Sequence, residues 1–304
     1  MSTFDIYETV TNRIIAELEK GIIPWHKPWK TSSPKVSTQA DLQSVAFNRI
    51  TKTAYGALNQ MLLSRTGEYA SFKQWKDLGG SIKLGAKAEM VVFWKWIDKT
   101  ETDSETSEPK IVHIPFLKYY NVFHIDDITG VEPLTVADLK ETPTQGFESA
   151  QTAEDIISHY SERERLSILY RGNQAYYSPM QDHIVIPERF KFGKSAEFYS
   201  TVFHEITHST GAKHRLDRLT ENGLAMFGNE AYSKEELVAE IGASGMLSIL
   251  GLETPSSFTN STAYIQNWLQ ALRNDKRLIL SASSRAEKAI DYILNGKQEG
   301  GETT

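Results

Sequence analysis

The sequence predicts an α+β protein in two parts: an N-terminal α+β domain, and a mostly helical C-terminal domain that carries a small sheet. Three observations predict it. Apolar residues recur at helical spacing near both ends of the chain, and β-branched and aromatic runs stand between them. Residues 131 to 151 mix Pro, Thr, Gly and acids without any periodicity. At 304 residues with a 40% apolar fraction, the chain is long enough for two cores and too apolar to be disordered. The expected division is 1–130, a linker at 131–151, and 152–304.

From Phe4 to Lys20 the apolar positions Tyr7, Val10, Ile14 and Leu18 form a helical stripe, stopped by Gly21 where a helix-terminating glycine belongs. A loop rich in Pro and Trp follows. Helical patterns resume over Ala54 to Arg65 and Ser71 to Leu78, the second closed by Gly79-Gly80. Val91 to Ile97 and Tyr119 to Phe123 are β-branched and aromatic and predict strands. Between these strands, Asp98 to Lys110 is a polar and acidic run expected to be a mobile hairpin tip. Past the linker the pattern predicts a helix near Ala153 to Arg165, then strands at Ser167 to Tyr170, Ala175 to Tyr177 and His183 to Ile186. Helices follow to the end, among them Lys234 to Leu250, Thr262 to Arg273 and Arg285 to Leu294.

Charge divides the chain. Formal net charge is −6, yet residues 20 to 97 hold 12 Lys or Arg against 4 Asp or Glu, whereas residues 131 to 304 hold 17 against 24. The two parts therefore suit different partners. With no cysteine, disulfides and thiolate ligands are excluded, and a bound metal would need nitrogen and oxygen donors. The N-terminus has no basic segment followed by an apolar core, and no apolar run approaches membrane-spanning length; a cytoplasmic protein without a membrane partner is expected.

His204-Glu205-Ile206-Thr207-His208 is the most chemically pointed stretch. A His-Glu-x-x-His run on a helix sets two imidazoles one turn apart with a carboxylate beside them, the ligand-and-base pattern of a zinc peptidase. Val202, Phe203 and Ile206 supply the buried face of such a helix. In this pattern His204 and His208 bind Zn2+ (or another divalent ion such as Mn2+), and Glu205 is the general base rather than a ligand. A third ligand is required. Glu236 is favoured, because Glu236 and Glu240 lie at i and i+4 on an otherwise apolar helix where a buried carboxylate needs a partner. Glu240 is then a supporting or alternate ligand. His214 competes, since His204 through His214 has the His-Glu-x-x-His-x-x-Gly-x-x-His spacing in which Gly211 would turn the chain back. Each also has a plain explanation: Ser233-x-x-Glu236 fits a capping box, and Lys213-His214-Arg215 fits a solvated helix end. Tyr176, Tyr177, Tyr232 and Tyr264 are candidate hydroxyl donors to an oxyanion, and the strands from Ala175 to Ile186 could present an edge to an extended peptide.

The basic N-terminal half is interleaved with aromatic rings, including five of the six tryptophans. Rings for base stacking and cations for phosphates suit single-stranded DNA, and the candidate contacts are Trp25, Lys27, Trp29, Lys30, Lys73 and Trp75. The alternative is that the rings form the core of a small domain.

These residues resemble a known family, the ArdC-type antirestriction proteins of conjugative plasmids and mobile elements, together with related polyvalent phage proteins. The likeness covers nearly the whole chain. In the first half it rests on Leu18 to Gly21, Pro24-Trp25-His26-Lys27-Pro28-Trp29, Asn48 to Gly56, Phe72 to Trp75 with Gly79-Gly80, Val91 to Lys95, and Asn121-Val122-Phe123. In the second half it rests on Tyr177-Ser178-Pro179, Ile184 to Pro187, Phe203 to Gly211, Arg215 to Arg218, and Glu236 to Ala243. Leu84, Ala86 and Ala88 around Gly85 depart from the family's charged loop. The resemblance implies an N-terminal domain that binds single-stranded DNA and a C-terminal zincin-like metallopeptidase domain. Together they would protect incoming DNA from host restriction; the resemblance does not reveal the peptidase target, for which host restriction or DNA-associated proteins are candidates. The competing reading is a DNA-binding module whose zincin domain is structural and non-catalytic. A third, an accessory to primases that share a similar N-terminal segment, lacks an acidic polymerase motif.

Overall fold

The computed structural model describes residues 5–26, 39–102, 109–138, 149–219, 230–252 and 262–297. Helix α1 (Ile6–Glu19) starts at Asp5, whose carboxylate accepts from the backbone N–H groups of Tyr7 and Glu8. It ends two residues before Gly21, which takes a left-handed φ of +78°. Val10, Ile14 and Leu18 form its buried stripe. After a single tight turn at Pro24–His26 come α2 (Gln39–Ser44), β1 (Ala46–Asn48), β2 (Thr53–Ala54), α3 (Ala57–Leu62), β3 (Gly67–Ser71), α4 (Phe72–Asp77) and β4 (Ser81–Ile82). They are followed by β5 (Glu89–Thr102), β6 (Pro109–His124) and β7 (Ile128–Thr129). The main sheet has the order β2-β1-β3-β6-β5, with β1 and β3 parallel and its other pairs antiparallel.

Three local expectations change. The helix predicted from Ala54 to Arg65 spans only Ala57–Leu62, because Thr53 and Ala54 pair with β1 and Leu63 turns to an extended conformation. The short strands β1 and β3 carried no alternating signal and exist through long-range pairing. The hairpin tip expected at Asp98 to Lys110 is strand where it is described: β5 and β6 keep an unbroken register from Glu89↔Val122 to Thr102↔Pro109, because backbone ladder bonds need no apolar side chains. Residues 103–108 lie outside the described residues.

Beyond residue 138 the described chain resumes with α5 (Ser149–Glu164), then β8 (Ser167–Tyr170), β9 (Tyr176–Ser178) and β10 (His183–Ile186). These make a three-stranded sheet ordered β8-β10-β9, which leaves β9 at an edge. Helices α6 (Ser195–Ser209), α7 (Glu230–Ile249), α8 (Thr262–Asn274) and α9 (Leu278–Asn295) complete the fold.

The two halves share one hydrophobic core. Val10, Ile14, Leu18 and Trp25 belong to the same buried cluster as Val202, Phe203, Leu237, Ile241, Trp268 and Ile279. Polar clasps cross the same seam. The Thr11 hydroxyl donates to the Lys276 carbonyl (2.8 Å), the Ser244 hydroxyl to the Trp25 carbonyl (2.6 Å), and the Ala57 N–H at the start of α3 to the Glu287 carboxylate (2.7 Å). A Cβ on Gly56 would lie 2.5 Å from that carboxylate, so the glycine admits the acid to the helix terminus.

Candidate metal centre

Helix α6 is buried almost from end to end because it runs between the small sheet and α7; Phe198, Tyr199, Val202, Phe203 and Ile206 are each at most 3% exposed. That burial carries His204 and His208 inside. Their Nε2 atoms are 3.1 Å apart, the consequence of two imidazoles on one face at i and i+4.

What brings a carboxylate to them is a close helix crossing. A Cβ on Gly242 of α7 would stand 2.7 Å from both Cγ2 and Oγ1 of Thr207, whose hydroxyl is pinned by donating to the Phe203 carbonyl (2.7 Å). With no side chain at 242, α7 approaches far enough that Glu236 places Oε2 3.5 Å from His204 Nε2 and Oε1 3.3 Å from His208 Nε2. One ligand atom from each of these three residues lies within 4.8 Å of the other two. Gly242→Ala is expected to destabilise the protein by about 1–3 kcal/mol, the cost of overpacking a tight interior contact, and to weaken metal uptake. Denaturant unfolding with and without added zinc measures both, and a variant matching the parent in each would show that the crossing tolerates a methyl group.

The other imidazole nitrogens also face acids. Glu240 Oε1 lies 3.7 Å from His204 Nδ1, and Glu235 Oε1 lies 3.6 Å from His208 Nδ1. Glu235 is held by Arg218 (2.8 Å), which also donates to the Thr207 carbonyl (2.8 Å) and the Thr210 hydroxyl (2.8 Å). A carboxylate behind a ligand histidine can fix its ring orientation and tautomer; here an acid faces the second nitrogen of each ring at 3.6–3.7 Å, where it acts through its charge. Glu205 is 7% exposed and close enough to both rings and to Glu240 to influence their ionisation.

Buried acids set the electrostatics. Burial alone would lower His208, but Glu235 and Glu236 hold its imidazole up at about 10; His204 moves the same way against burial through Glu236 and Glu240. Burial would raise Glu236, yet the two rings hold it well below the usual carboxylate range. Glu240 is pushed up to about 7 by burial and by the neighbouring Glu236. Two imidazole nitrogens and a carboxylate oxygen converging in a buried, acid-rich site fit a divalent ion.

Several expected residues lie elsewhere. His214 is exposed, pairs with Asp182 (3.3 Å) and does not join the converging group. The reason is what Gly211 does: a Cβ there would meet Leu219 Cγ at 2.9 Å and the His208 carbonyl at 3.1 Å, so this glycine admits the returning chain against the helix end. Nor is Arg215 a solvated helix end. Its buried guanidinium donates to Glu164 (3.0 Å), to both oxygens of Asp182 (2.8 and 2.9 Å) and to the Ser209 carbonyl (3.0 Å), tying the end of α6 to α5 and the β9–β10 turn. Tyr177 commits its hydroxyl to Asp182 (2.8 Å), while Tyr176 is 43% exposed on the edge strand β9. The side chains of Tyr232, Ser233 and Tyr264 lie outside the described residues.

Among the candidate DNA contacts, Trp25 and Trp75 are corrected: both are 0% exposed and have no face to offer a base. Trp25 meets Trp268 edge-on at 4.9 Å, and Trp75 donates its indole N–H to the Phe123 carbonyl (2.9 Å). Both belong to cores, as large rings do when a small domain must fill its interior. Trp25→Ala is expected to cost about 3–5 kcal/mol in denaturant unfolding, and a loss below 1 kcal/mol would contradict the packing role. Lys73 is exposed on α4, and Lys27, Trp29 and Lys30 lie outside the described residues. Sequence reasoning missed Glu235, Arg218, Thr207 and Gly242. Only Gly242 carried a signal, since a glycine inside an apolar helix implies a packing reason.

An α+β half fused through a shared core to a helical half, with two histidines and a glutamate converging beside a second glutamate, defines a protein with a zincin-like metallopeptidase domain. Residues 152–285 match the family model of zincin-like metallopeptidases, and residues 4–123 match that of the N-terminal domain of anti-restriction factor ArdC. The chain belongs to the ArdC antirestriction family. It is similar to the crystal structures of the antirestriction ArdC protein from plasmid R388. The TM-score is 0.70 to the metal-free form (32% identity, covering 96% of this chain and 98% of that one) and 0.70 to the Mn(II)-bound form (30% identity, 98% and 100%). An uncharacterised protein of Sinorhizobium fredii (strain NBRC 101917 / NGR234), y4eC, is 30% identical over 95% of this chain and 91% of its own length. The DNA primase TraC of Escherichia coli is 28% identical over 96% of this chain, which spans only 27% of that protein. Among the described residues no helix is long and apolar enough to cross a membrane.

Proposed function

We propose that this chain is an antirestriction protein that binds single-stranded DNA with residues 1–130 and carries, in residues 152–304, a metal-dependent peptidase acting on a host restriction or DNA-associated protein. Incoming plasmid or phage DNA would thereby escape restriction in the cytoplasm. The observation that carries the peptidase reading is the convergence of His204, His208 and Glu236 with Glu205 buried alongside. The Mn(II)-bound relative supports a divalent ion here, and zinc or manganese suits this donor set.

His204, His208 and Glu236 would hold the ion, oriented by Glu240 and by the Arg218–Glu235 pair. When bound, the ion supplies Lewis acidity toward a peptide carbonyl and toward water. Glu205 accepts the proton released by the attacking water and returns it to the leaving amine. Among the described residues β9 is an edge strand, so its outer side would offer backbone groups to an extended peptide, which would add as a further strand. The N-terminal half contributes the positive balance of residues 20 to 97 toward phosphates.

The test combines three measurements on the purified full chain: metal content by elemental analysis, hydrolysis of an unstructured polypeptide with zinc or manganese added, and binding of oligo(dT) across a salt series. The reading requires about one ion per chain, chelator-sensitive hydrolysis, and affinity that falls as salt rises. Binding of DNA with stoichiometric metal and no hydrolysis of any polypeptide offered would favour the non-catalytic alternative.

A further inference from the structure

Along β5 and β6, away from β3, one side of the main sheet is left partly uncovered. In the β5–β6 register, Val91 faces Tyr120, Phe93 faces Lys118 and Lys95 faces Phe116, and residues directly opposite in an antiparallel pair point to the same side. Val92 and Leu117, on the other side, belong to the shared core, and Trp94 approaches Tyr7 of α1 at 6.4 Å. Near β3 the first side is filled by Val91, Val122 and Tyr69, but farther along the ribbon it is open. There Tyr120 is 56% and Phe116 48% exposed, and Phe93 lies flat against Tyr120, centroids 4.7 Å apart and planes at 4°.

We infer that this face, formed by Phe93, Lys95, Phe116, Lys118 and Tyr120, is where single-stranded DNA lies, its bases continuing the Phe93–Tyr120 ring stack and its phosphates meeting the two lysines. The inference rests on the single-stranded-DNA reading above and replaces the buried tryptophans as the stacking surface. Charge selects this occupant. Neither Lys95 nor Lys118 has an ion-pair partner among the described residues. Among the described side chains, the acid on the same side, Glu89, is buried and committed to the backbone N–H of Ser64 (2.6 Å), the Ser64 hydroxyl (3.0 Å) and the Tyr69 hydroxyl (3.1 Å). Flat rings alternating with free cations serve any base sequence, because every base has a π face and every nucleotide a phosphate. The core of a protein-docking patch is instead depleted of lysine.

The test is fluorescence anisotropy of labelled oligo(dT) with the metal-loaded full chain. Tyr120→Ala should weaken binding roughly tenfold, within the range of losing one stacked base, while Tyr120→Phe should bind like the parent. Lys95→Gln with Lys118→Gln should flatten the slope of log affinity against log salt by about 1.4, two phosphate contacts on a single strand. Tyr120 and Lys95 are exposed, and an unchanged melting temperature and metal content would verify that each variant is folded. Parent-like affinity and salt slope in both variants would overturn this face as the binding surface and leave the DNA reading standing. A parent that fails to bind oligo(dT) would overturn both. A parent dimer that Tyr120→Ala converts to monomer, with DNA binding intact, would assign the face to a second copy of the chain and overturn the inference.

Discussion

Glu205→Gln is expected to abolish nearly all peptide hydrolysis while leaving the metal in place. Glu205 sits in the same helical turn as His204, buried in the site, but it is not among the residues whose ligand atoms converge. Replacing its carboxylate by an isosteric amide removes a proton acceptor without changing volume, and the loss of a general base lowers turnover by about 10²–10⁴-fold. Metal content, oligo(dT) affinity and melting temperature should match the parent. If antirestriction in cells disappears with hydrolysis, proteolysis is the protective act; if protection persists in a hydrolytically dead variant, DNA binding alone accounts for it. Retention of hydrolysis would remove Glu205 from the mechanism altogether.

Glu236→Gln should produce the largest loss of metal. In the protein Glu236 spans both rings, with one oxygen 3.5 Å from His204 and the other 3.3 Å from His208, so the amide withdraws the one anionic donor of the group. Loss of a supporting carboxylate behind a ligand typically lowers metal affinity 10–100-fold, and loss of the direct ligand should exceed that, roughly 100-fold or more. Glu235→Gln, which disturbs only the acid behind His208, belongs in the lower range. Competition with a chromogenic chelator measures the parent and the Glu236→Gln, Glu235→Gln and Glu240→Gln variants. If Glu236→Gln binds zinc like the parent while Glu240→Gln does not, the ligand assignment reverses.

A His-Glu-x-x-His run needs only helical geometry to set two imidazoles on one face, which is why His204 and His208 were legible from spacing and why their Nε2 atoms meet at 3.1 Å. Local signals of the same kind located α1, α4, the three small strands and the helices of the second half, because capping residues, glycine stops and apolar periodicity act within one or two turns. Nothing local says how near two helices come. That distance depended on Gly242 meeting Thr207, and together with the chain return at Gly211 it determined that Glu236, rather than His214 ten residues along from His204, stands beside the histidines.

The aromatic content of the first half was equally visible and equally undecided, since a tryptophan in a basic segment suits a core as well as a base. Composition determined that this half would be cationic and ring-rich; the packing of α1 onto α8, of the Pro24–His26 turn onto α3 and α7 with Trp25 against Trp268, and of α4 onto the main sheet determined that Trp25 and Trp75 are interior and that Tyr120 and Phe116 are not. The reason is physical. Periodicity is a property of a few consecutive residues, whereas burial and ligand convergence are set by which surfaces the whole chain brings into contact.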